Sequence, residues 1–577
     1  MTPHPSRQPA GWRATLSLRE RDWNWGSIAV LFLLAFVLWG YVVGPLVSTF
    51  WFSVDSGQGA LAEYAPFLDF GSAQSEALRG SLYISVLSVI TAGATGVFLA
   101  VLLNRWDFRF RRIYQALVLV PIALPPLMGV KAFYLLYGKG GTFPQLLGEF
   151  FHTSPLTFAL QGISGVLLVH TMTMYPYFYL SVAASMAQTD DSLEEAASSL
   201  GASTRQTWTR VLLPMLTPPI VAGALLTFMS SMASYTAPLL FEVNNVMTVQ
   251  IASNKESQPA LASAVAVILA VISVIFLIVI RGYEQRGVYR TQSKGGARKR
   301  RWVTSSAAKV SLFAGALIST IILILPIAMI FLLAFSVDGS WRAGPLPSAY
   351  TMKNVVKIFS GAGSWGPIKN SVEMSAMAVA CAIVLGVTSA YVTTRMRIRG
   401  RGIIDIAMML PWALPGTVVA FNLIVAFAKP SMFSFGQVLI GTYWMVPLAY
   451  FVRFSPLIFR STASSLTQLD PTLEEAARSL GSSWWGAFRR VVLPLVSSGI
   501  AGGVLLAFVA GFGEFVATIM LYTKFKDRPL SIAINDELNA GHWGTAACFG
   551  VVQVVLVLAV VILMRRVEDR GAIAHTS

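Results

Sequence analysis

The stretch LEEAASSLGASTRQTWTRVLLPMLTPP, from Leu193 to Pro219, returns without a gap as LEEAARSLGSSWWGAFRRVVLPLVSSG, from Leu473 to Gly499. Both copies read Glu-Ala-Ala, three residues, Gly, nine residues, an aliphatic residue, any residue, Leu and Pro. An internal repeat on this scale predicts a chain built from two similar units in tandem. The matched positions are Glu195, Ala196, Ala197, Gly201, Val211, Leu213 and Pro214 in the first copy, and Glu475, Ala476, Ala477, Gly481, Val491, Leu493 and Pro494 in the second.

The two halves also match outside these stretches. Prolines interrupt helical hydrogen bonding, and in membranes they persist where neighbouring helices or water satisfy the freed groups. Matched prolines therefore indicate either kinks shaped around a central pathway or a role in packing alone. The further landmarks are Ser81 with Ser371, Pro121–Pro125 with Pro411–Pro415, Tyr175-Pro176 with Ser455-Pro456, and Phe52–Asp55 with Phe335–Asp338.

The composition is that of a membrane protein. Of the 577 residues, 55% are hydrophobic and 12% are charged, whereas soluble domains carry about 25% charged residues. Twelve apolar segments approach the roughly 20 residues that a membrane-crossing helix needs. The sequence therefore predicts an all-α polytopic membrane protein with about 12 transmembrane helices in two six-helix units. The predicted segments are 27–50, 81–104, 115–137, 160–186, 216–240, 261–281, 310–336, 370–394, 404–428, 436–462, 496–520 and 544–565.

Basic residues predict the orientation of these helices, because cytoplasmic loops collect Lys and Arg. With both termini in the cytoplasm, the repeated loops and the basic linker between the units lie inside. The run from Lys294 to Arg301 could be a nucleic-acid patch, but its place between two spanning helices favours a topology signal and anionic-lipid contact. The net charge of +16 thus requires no nucleic-acid partner. The matched inside markers are Arg105, Arg109, Arg111 and Arg112, and Arg395, Arg397, Arg399 and Arg401.

These patterns divide the chain into five parts. The first apolar segment is long and lacks a small-residue cleavage site, so it is predicted to be an anchor and not a cleaved signal peptide. The two cysteines, Cys381 and Cys548, are too few for a disulfide framework and are expected to be small buried packing residues. The parts are a cytoplasmic tail at 1–26, a first unit at 27–281 with its loop at 189–215, a cytoplasmic linker at 282–309, a second unit at 310–565 with its loop at 470–494, and a cytoplasmic tail at 566–577.

Each repeated loop has the local signals of a rigid helix–turn–helix. Thr189-Asp190-Asp191 and Asp470-Pro471-Thr472 are typical helix N-caps, and acidic residues in the first turn complement the positive helix end. Gly201 and Gly481 are predicted to be left-handed C-caps. A second amphipathic segment, with Arg210 or Arg489-Arg490, is expected to end at Pro214 or Pro494, before the next spanning helix.

The spacing of the loops resembles the E-A-A loop of permeases of ATP-binding-cassette (ABC) importers, and the chain resembles two fused type I permease units. The resemblance implies a bacterial cytoplasmic (inner) membrane protein with two ABC ATPase subunits and an external substrate-binding protein as partners. ATP and Mg²⁺ would act on the ATPase, with no cofactor on this chain, since no Gly-x-x-x-x-Gly-Lys-Ser/Thr phosphate loop occurs here. The implied ATPase-coupling residues are Glu194, Glu195, Ala196, Ala197, Gly201, Pro214, Glu474, Glu475, Ala476, Ala477, Gly481 and Pro494.

Within that superfamily the chain looks most similar to fused ferric-iron permeases. The stretches Phe228–Pro238 and Gly511–Leu521, in the fifth predicted helix of each half, carry this resemblance. Related fused permeases carry 2-aminoethylphosphonate, thiamine or sugar phosphates. The candidate substrate-pathway residues are Ser234, Tyr235, Arg453 and Glu514, and Ser234 stands where the second half has Glu514, so the pathway need not be symmetric.

Ionisable groups inside the membrane are costly and usually face a cavity or a partner. Glu514 could meet a cationic substrate group or pair with Arg453 in the tenth predicted helix. Lys131 is expected to be a surface or packing feature near the outer leaflet, and His170 to be hydrogen-bonded across helices instead of binding metal. Five His and two Cys offer no concentrated set of metal ligands.

Three other functional classes remain alternatives. An ion-coupled secondary transporter also uses tandem six-helix repeats, but it needs no E-A-A loops. A membrane enzyme would need a clustered nucleophile and base or a metal site, and no catalytic residue is indicated. An ABC exporter half normally carries a fused ATPase and lacks the E-A-A pattern.

Overall fold

The computed structural model describes residues 25–55, 61–124, 126–188, 192–285, 301–302, 305–341, 346–360, 365–396, 398 and 400–576. These residues are almost entirely helical. Most of the predicted N-terminal tail, most of the linker, Pro125, the N-cap at 189–191 and the inside markers Arg397 and Arg399 lie outside them. The helices of the first unit are α1 Trp25–Leu38, α2 Gly44–Val54, α3 Ala73–Arg105, α4 Arg111–Leu117, α5 Pro126–Tyr137, α6 Thr142–Phe151, α7 Gly162–Gln188, α8 Ser192–Ser199, α9 Thr204–Thr207, α10 Leu213–Met232, α11 Thr236–Leu240, α12 Met247–Asn254 and α13 Pro259–Gln285.

From α16 onwards the second unit repeats the order of α3–α13, except that a 3₁₀ turn at Met432–Ser434 stands in the place of α6. Two short strands, β1 Trp106–Asp107 and β2 Arg301–Trp302, pair in parallel and join the end of α3 to the linker. The helices are α14 Ser306–Ala334, α15 Lys353–Ser360, α16 Trp365–Arg395, α17 Arg401–Ala413, α18 Gly416–Phe427, α19 Met445–Gln468, α20 Pro471–Ser479, α21 Trp484–Ala487, α22 Leu493–Phe512, α23 Val516–Leu521, α24 Leu530–Asn539 and α25 Trp543–Thr576.

Within the described residues, eight helical stretches are long and apolar enough to cross a membrane, or nine if the bent pair α17–α18 forms one span. They correspond to the first, second, fifth to eighth, eleventh and twelfth predicted segments. The all-α polytopic fold is thereby confirmed. The eight are Ile28–Val54, Ala73–Arg105, Thr204–Met232, Pro259–Tyr283, Ser306–Ala334, Trp365–Arg395, Trp484–Phe512 and Trp543–Leu563.

The remaining four predicted segments differ from simple spans. The third is divided between α4, a 3₁₀ turn at Val120–Ala123 and α5. The ninth is bent by 110° between α17 and α18, where Pro415 caps the second helix. The fourth and tenth are the single helices α7 and α19, which are not among the eight stretches that are long and apolar enough to cross a membrane. Polar groups that face the protein interior, such as His170 and Arg453, lower their hydropathy.

Each unit is built around the same three packed helices, α3 with α7 and α10, and α16 with α19 and α22. Close approach is possible because glycines face the neighbouring backbone: a Cβ on Gly96 would lie 2.5 Å from the Tyr175 carbonyl oxygen. Ser81 and Ser371 also make matched bonds. Each hydroxyl accepts the first backbone N–H of a later helix, from Met247 at 2.9 Å and from Leu530 at 2.7 Å.

The two units interlock through their outer helices. Helices α1 and α2 of the first unit pack against α17 and α18 of the second, and α14 of the second unit packs against α4 and α5 of the first. One buried cluster contains Leu34 and Leu38 together with Val419 and Phe427. The hydrophobic cores of the two units are therefore shared, not separate.

The structure tests the predictions for the two cysteines, two of the matched prolines and the C-terminal tail. Cys548 is buried, as expected, but Cys381 is exposed on α16 and does not pack inside the protein. Pro176 and Pro456 both lie within continuous helices, α7 and α19. The predicted tail at 566–577 continues α25 as helix to Thr576.

Candidate coupling loops and polar site in the membrane

The second E-A-A loop begins as its sequence predicts. The carboxylate of Asp470 accepts the backbone N–H of Thr472 at 2.9 Å and caps α20. This backbone hydrogen bond favours the ionised carboxylate and holds the pKa of Asp470 below its ordinary value. Pro471 occupies the first turn, where its missing N–H costs no helical bond.

Both loop glycines adopt the predicted left-handed conformation, with φ of +79° at Gly201 and +90° at Gly481. The helix ends are closed by hydrogen bonds typical of a glycine C-cap, which satisfy carbonyls that the helix leaves unpaired. Only glycine accepts this φ without strain. The closing bonds run from Ala202 N–H to the Ala197 carbonyl at 3.0 Å and from Ser482 N–H to the Ala477 carbonyl at 3.1 Å.

The predicted end of the second loop segment is wrong. The helix does not stop at Pro214 or Pro494 but runs continuously from Thr204 to Met232 and from Trp484 to Phe512. One π-helical turn, at Trp208–Leu212 or Phe488–Val492, precedes each proline. This wider turn accommodates a residue that lacks an N–H and crowds the preceding turn. Each loop is thus joined to the fifth span of its unit as one helix.

The two loops expose similar faces. Glu195, Ala196 and their counterparts Glu475 and Ala476 are exposed. Beside them, Leu200 and Leu480 are 87% and 89% exposed. The second loop adds the exposed indoles of Trp484 and Trp485, where the first has Thr204 and Arg205. Exposed apolar side chains on a projecting loop are typical of a protein-binding surface.

Glu194 and Glu474 point the other way, towards the spanning helices. Glu194 is buried against Arg105, at the end of α3, with 2.9 Å between Nη2 and Oε2. Glu474 accepts a hydrogen bond from the hydroxyl of Tyr391 on α16. Sequence reasoning treated Arg105 only as a topology marker and missed Tyr391, because both contacts join positions far apart in the chain.

Three of the four candidate pathway residues lie at helix breaks, which corrects their predicted place within the fifth helices, whereas Arg453 lies within α19, the tenth predicted helix. Ser234 and Tyr235 separate α10 from α11, and Glu514 separates α22 from α23. Tyr235 is 8% exposed and belongs to a buried hydrophobic cluster that also contains Ile330 of the second unit. Ser234 is half-buried. A break inside an apolar region frees backbone groups that need partners from neighbouring segments.

At the second break, Glu514 is paired. Its Oε1 lies 3.0 Å from Arg453 Nη1, and the two side chains are 8% and 21% exposed. The same oxygen accepts the backbone N–H of Ala517 at 2.9 Å, at the start of α23. Gly416 makes room for the cation, since a Cβ there would lie 1.8 Å from Arg453 Nη1. Of the two interpretations of Glu514, the geometry matches the ion pair.

The first break uses neutral groups. His170 is buried, with Nδ1 2.8 Å from Ser88 Oγ and Nε2 2.8 Å from Ser234 Oγ. The prediction that His170 bonds across helices is confirmed.

The ammonium of Lys131 lies 4.6 Å from the ring centre of Trp543 in the second unit, so it joins the two units. Among the described residues, no group of three or more His, Cys, Asp or Glu could hold a metal ion.

Comparison with known proteins agrees with this architecture. The family model for the binding-protein-dependent transport system inner membrane component matches twice, at residues 92–287 and 382–571. Each match contains one E-A-A loop and one helix break.

Similar proteins extend over most of the chain. A protein of Sinorhizobium fredii named as a probable ABC transporter permease is 28% identical, over 87% of this chain and 88% of its own length. A ferric transport system permease protein of Actinobacillus pleuropneumoniae is 23% identical, over 93% of this chain and 77% of its own. A Salmonella paratyphi A protein, provisionally named a 2-aminoethylphosphonate transport system permease, is 28% identical over 43% of this chain and 89% of its own. Because the family model covers more than half of the chain, in two tandem matches, the chain belongs to the family of binding-protein-dependent transport system inner membrane components.

Proposed function

We propose that the chain is the transmembrane permease of an ABC importer, passing solute from an external binding protein into the cytoplasm. Two separate ATPase subunits, which bind ATP and Mg²⁺, dock on the two E-A-A loops and supply the energy. Both termini and both loops face the cytoplasm of a bacterial cell, and the helices cross its cytoplasmic membrane. The chain itself acts as a conduit and not as an enzyme.

One observation carries this proposal: the chain holds two copies of the same projecting loop, each with a left-handed glycine. Each loop is continuous with a helix long enough to cross the membrane. A rigid connection of this kind can convert movement of a docked protein into movement of the helix that ends at Met232 or Phe512, directly before the break at Ser234 or Glu514. An ion-coupled transporter has no use for two such loops.

We infer ferric iron as the transported solute. The support is that relatives named as ferric permeases align with nearly the whole fused chain, whereas the 2-aminoethylphosphonate relative aligns with one unit. 2-Aminoethylphosphonate is the second candidate. In either case we infer that the external binding protein selects the solute and delivers it to the permease.

Reconstitution tests the proposal. Proteoliposomes are prepared with the chain and its co-purified ATPase, and the loaded binding protein is added outside. They should take up ⁵⁵Fe(III) only when ATP is enclosed in the vesicles, on the side where the ATPase is bound. A catalytically inactive ATPase is the control. Uptake driven by an ion gradient without ATP would overturn the importer proposal. ATP-driven uptake of 2-aminoethylphosphonate in place of iron would replace the solute alone.

A further inference from the structure

The two E-A-A loops are held to the membrane helices by different chemistry at matched positions. In the first loop, both carboxylate oxygens of Glu194 are engaged by Arg105, through Nη1 to Oε1 at 3.3 Å and Nη2 to Oε2 at 2.9 Å. The two side chains are 3% and 2% exposed. Charge-assisted, two-point bonds of this kind are roughly twice as strong as neutral ones.

Arg105 also contacts the next helix of the loop. Its guanidinium lies 4.7 Å from the ring centre of Trp208, in the π turn that leads into α10. It is the last residue of α3, directly before the strand that pairs with the linker. One cation therefore joins three segments: the end of a spanning helix, the coupling helix α8 and the start of the fifth span.

The second loop reaches the same result without a buried ion pair. Glu474 accepts from the hydroxyl of Tyr391, which in turn accepts the indole N–H of Trp484 at 2.8 Å. The ring of Tyr391 also lies 5.5 Å from the ring of Phe488, in the second π turn. Arg395, the counterpart of Arg105, instead donates to the carbonyls of Leu466 and Leu469 at the end of α19.

We propose that Arg105 and Tyr391 are positioning residues that lock the two coupling loops onto α3 and α16, the first by a two-point ion pair and the second by a single hydrogen bond from a hydroxyl together with aromatic packing. The proposal rests on the proposed function, in which these loops dock the ATPases. The two docking sites then differ in how firmly each loop is held to its spanning helix. Loss of charge at Glu194 loosens its loop more than the same change at Glu474.

Matched glutamine substitutions distinguish the two locks because glutamine keeps the volume of glutamate. In Glu194→Gln, the two charge-assisted bonds to Arg105 are replaced by weaker contacts to a neutral amide. In Glu474→Gln, the amide oxygen still accepts from the Tyr391 hydroxyl, so that lock survives. The same substitution thus has unequal effects in two copies of one motif.

The experiment uses the full chain with Cys381→Ala and Cys548→Ala, carrying spin labels at Ser199→Cys and Ser479→Cys, which are exposed counterparts in the two loops. Electron–electron distance measurements give the distribution of distances between the two labels, and a narrow distribution shows that both loops are held in fixed positions. Retention of the co-purifying ATPase, measured by titration on the labelled chain, reports docking. We expect Glu194→Gln to broaden the distance distribution and weaken docking about tenfold, or about 1.4 kcal/mol. We expect Glu474→Gln to weaken ATPase docking by less than about threefold.

Two further variants keep the test decisive. Arg105→Lys keeps the charge but lacks the two-point geometry, so its effect should be intermediate and its melting temperature close to that of the parent. Tyr391→Phe removes the hydroxyl that holds Glu474. It should therefore broaden the distance distribution and weaken docking about as much as Glu194→Gln does, this time through the second loop. Equal behaviour of Glu194→Gln and Glu474→Gln in both measurements would overturn the proposal. If the parent chain retains no ATPase while the distances still differ, the locks stand and the proposed function fails.

Discussion

Glu514 shows how an acidic residue is tolerated at membrane depth in this chain. Its carboxylate meets both the Arg453 guanidinium and the backbone N–H of Ala517 in the first turn of α23, so a cation and a helix end share its charge. The serine hydroxyl of Ser531 completes the site by donating to the Glu514 carbonyl at 2.8 Å. A residue first considered as a contact for a cationic solute is thus bound within the protein.

We predict that Glu514→Gln weakens the folded chain by about 3 kcal/mol, because breaking one side of a buried ion pair leaves its partner without the opposing charge. Thermal unfolding in detergent measures this loss. Arg453→Met combined with Glu514→Gln should recover part of the melting temperature, since both charges are then removed. Unchanged stability with lost transport in Glu514→Gln would show instead that Glu514 serves the solute pathway.

At the scale of the element, the coupling loops depend on their glycines. Gly201→Val and Gly481→Val force a β-branched residue into a left-handed conformation, at a cost of about 1–3 kcal/mol each. We expect the chain to insert normally but to lose ATP hydrolysis stimulated by the loaded binding protein. The stimulated and basal hydrolysis rates of the reconstituted complex are compared.

Gly282→Val is the matched control for these loop variants. Gly282 lies near the end of α13, has no positive φ, and has open space around its Cβ position. Stimulated hydrolysis should remain near the parent level there. Full stimulation in both Gly201→Val and Gly481→Val would remove the coupling role of the loops.

What could be predicted from sequence at this scale follows from the range of the interactions. The left-handed turns at Gly201 and Gly481 and the cap at Asp470 depend on residues within one or two turns, so local patterns identify them. The helix breaks at Ser234 and Glu514 lie inside the segments 216–240 and 496–520, whose average apolar character hides them, because apolar residues dominate on both sides of each break. The contacts of Glu194 and Glu474 join distant segments, and no local pattern indicates them.

At the scale of the whole molecule, orientation is a prediction from the distribution of Lys and Arg. In a background without native cysteines, labels at Ser257→Cys and Thr523→Cys should react with an impermeant maleimide added to whole cells. Labels at Ser199→Cys and Ser479→Cys should react only after the cells are opened. All four positions are exposed on the protein. The reverse pattern of labelling would overturn the orientation.

The interlocked outer helices have a consequence for synthesis of the chain. The apolar face of α2 is covered by α18, which begins at Gly416, more than 360 residues after α2 ends. At about 5–20 residues per second, the ribosome needs roughly 20–70 s to make that partner. Until then the part of α2 that packs on α18 stays uncovered, although α13, which packs on another part of α2, has already been made. A chain that stops before Gly416 would leave this part of α2 without its helical partner permanently, so a prematurely terminated product exposes an apolar surface that the full chain buries.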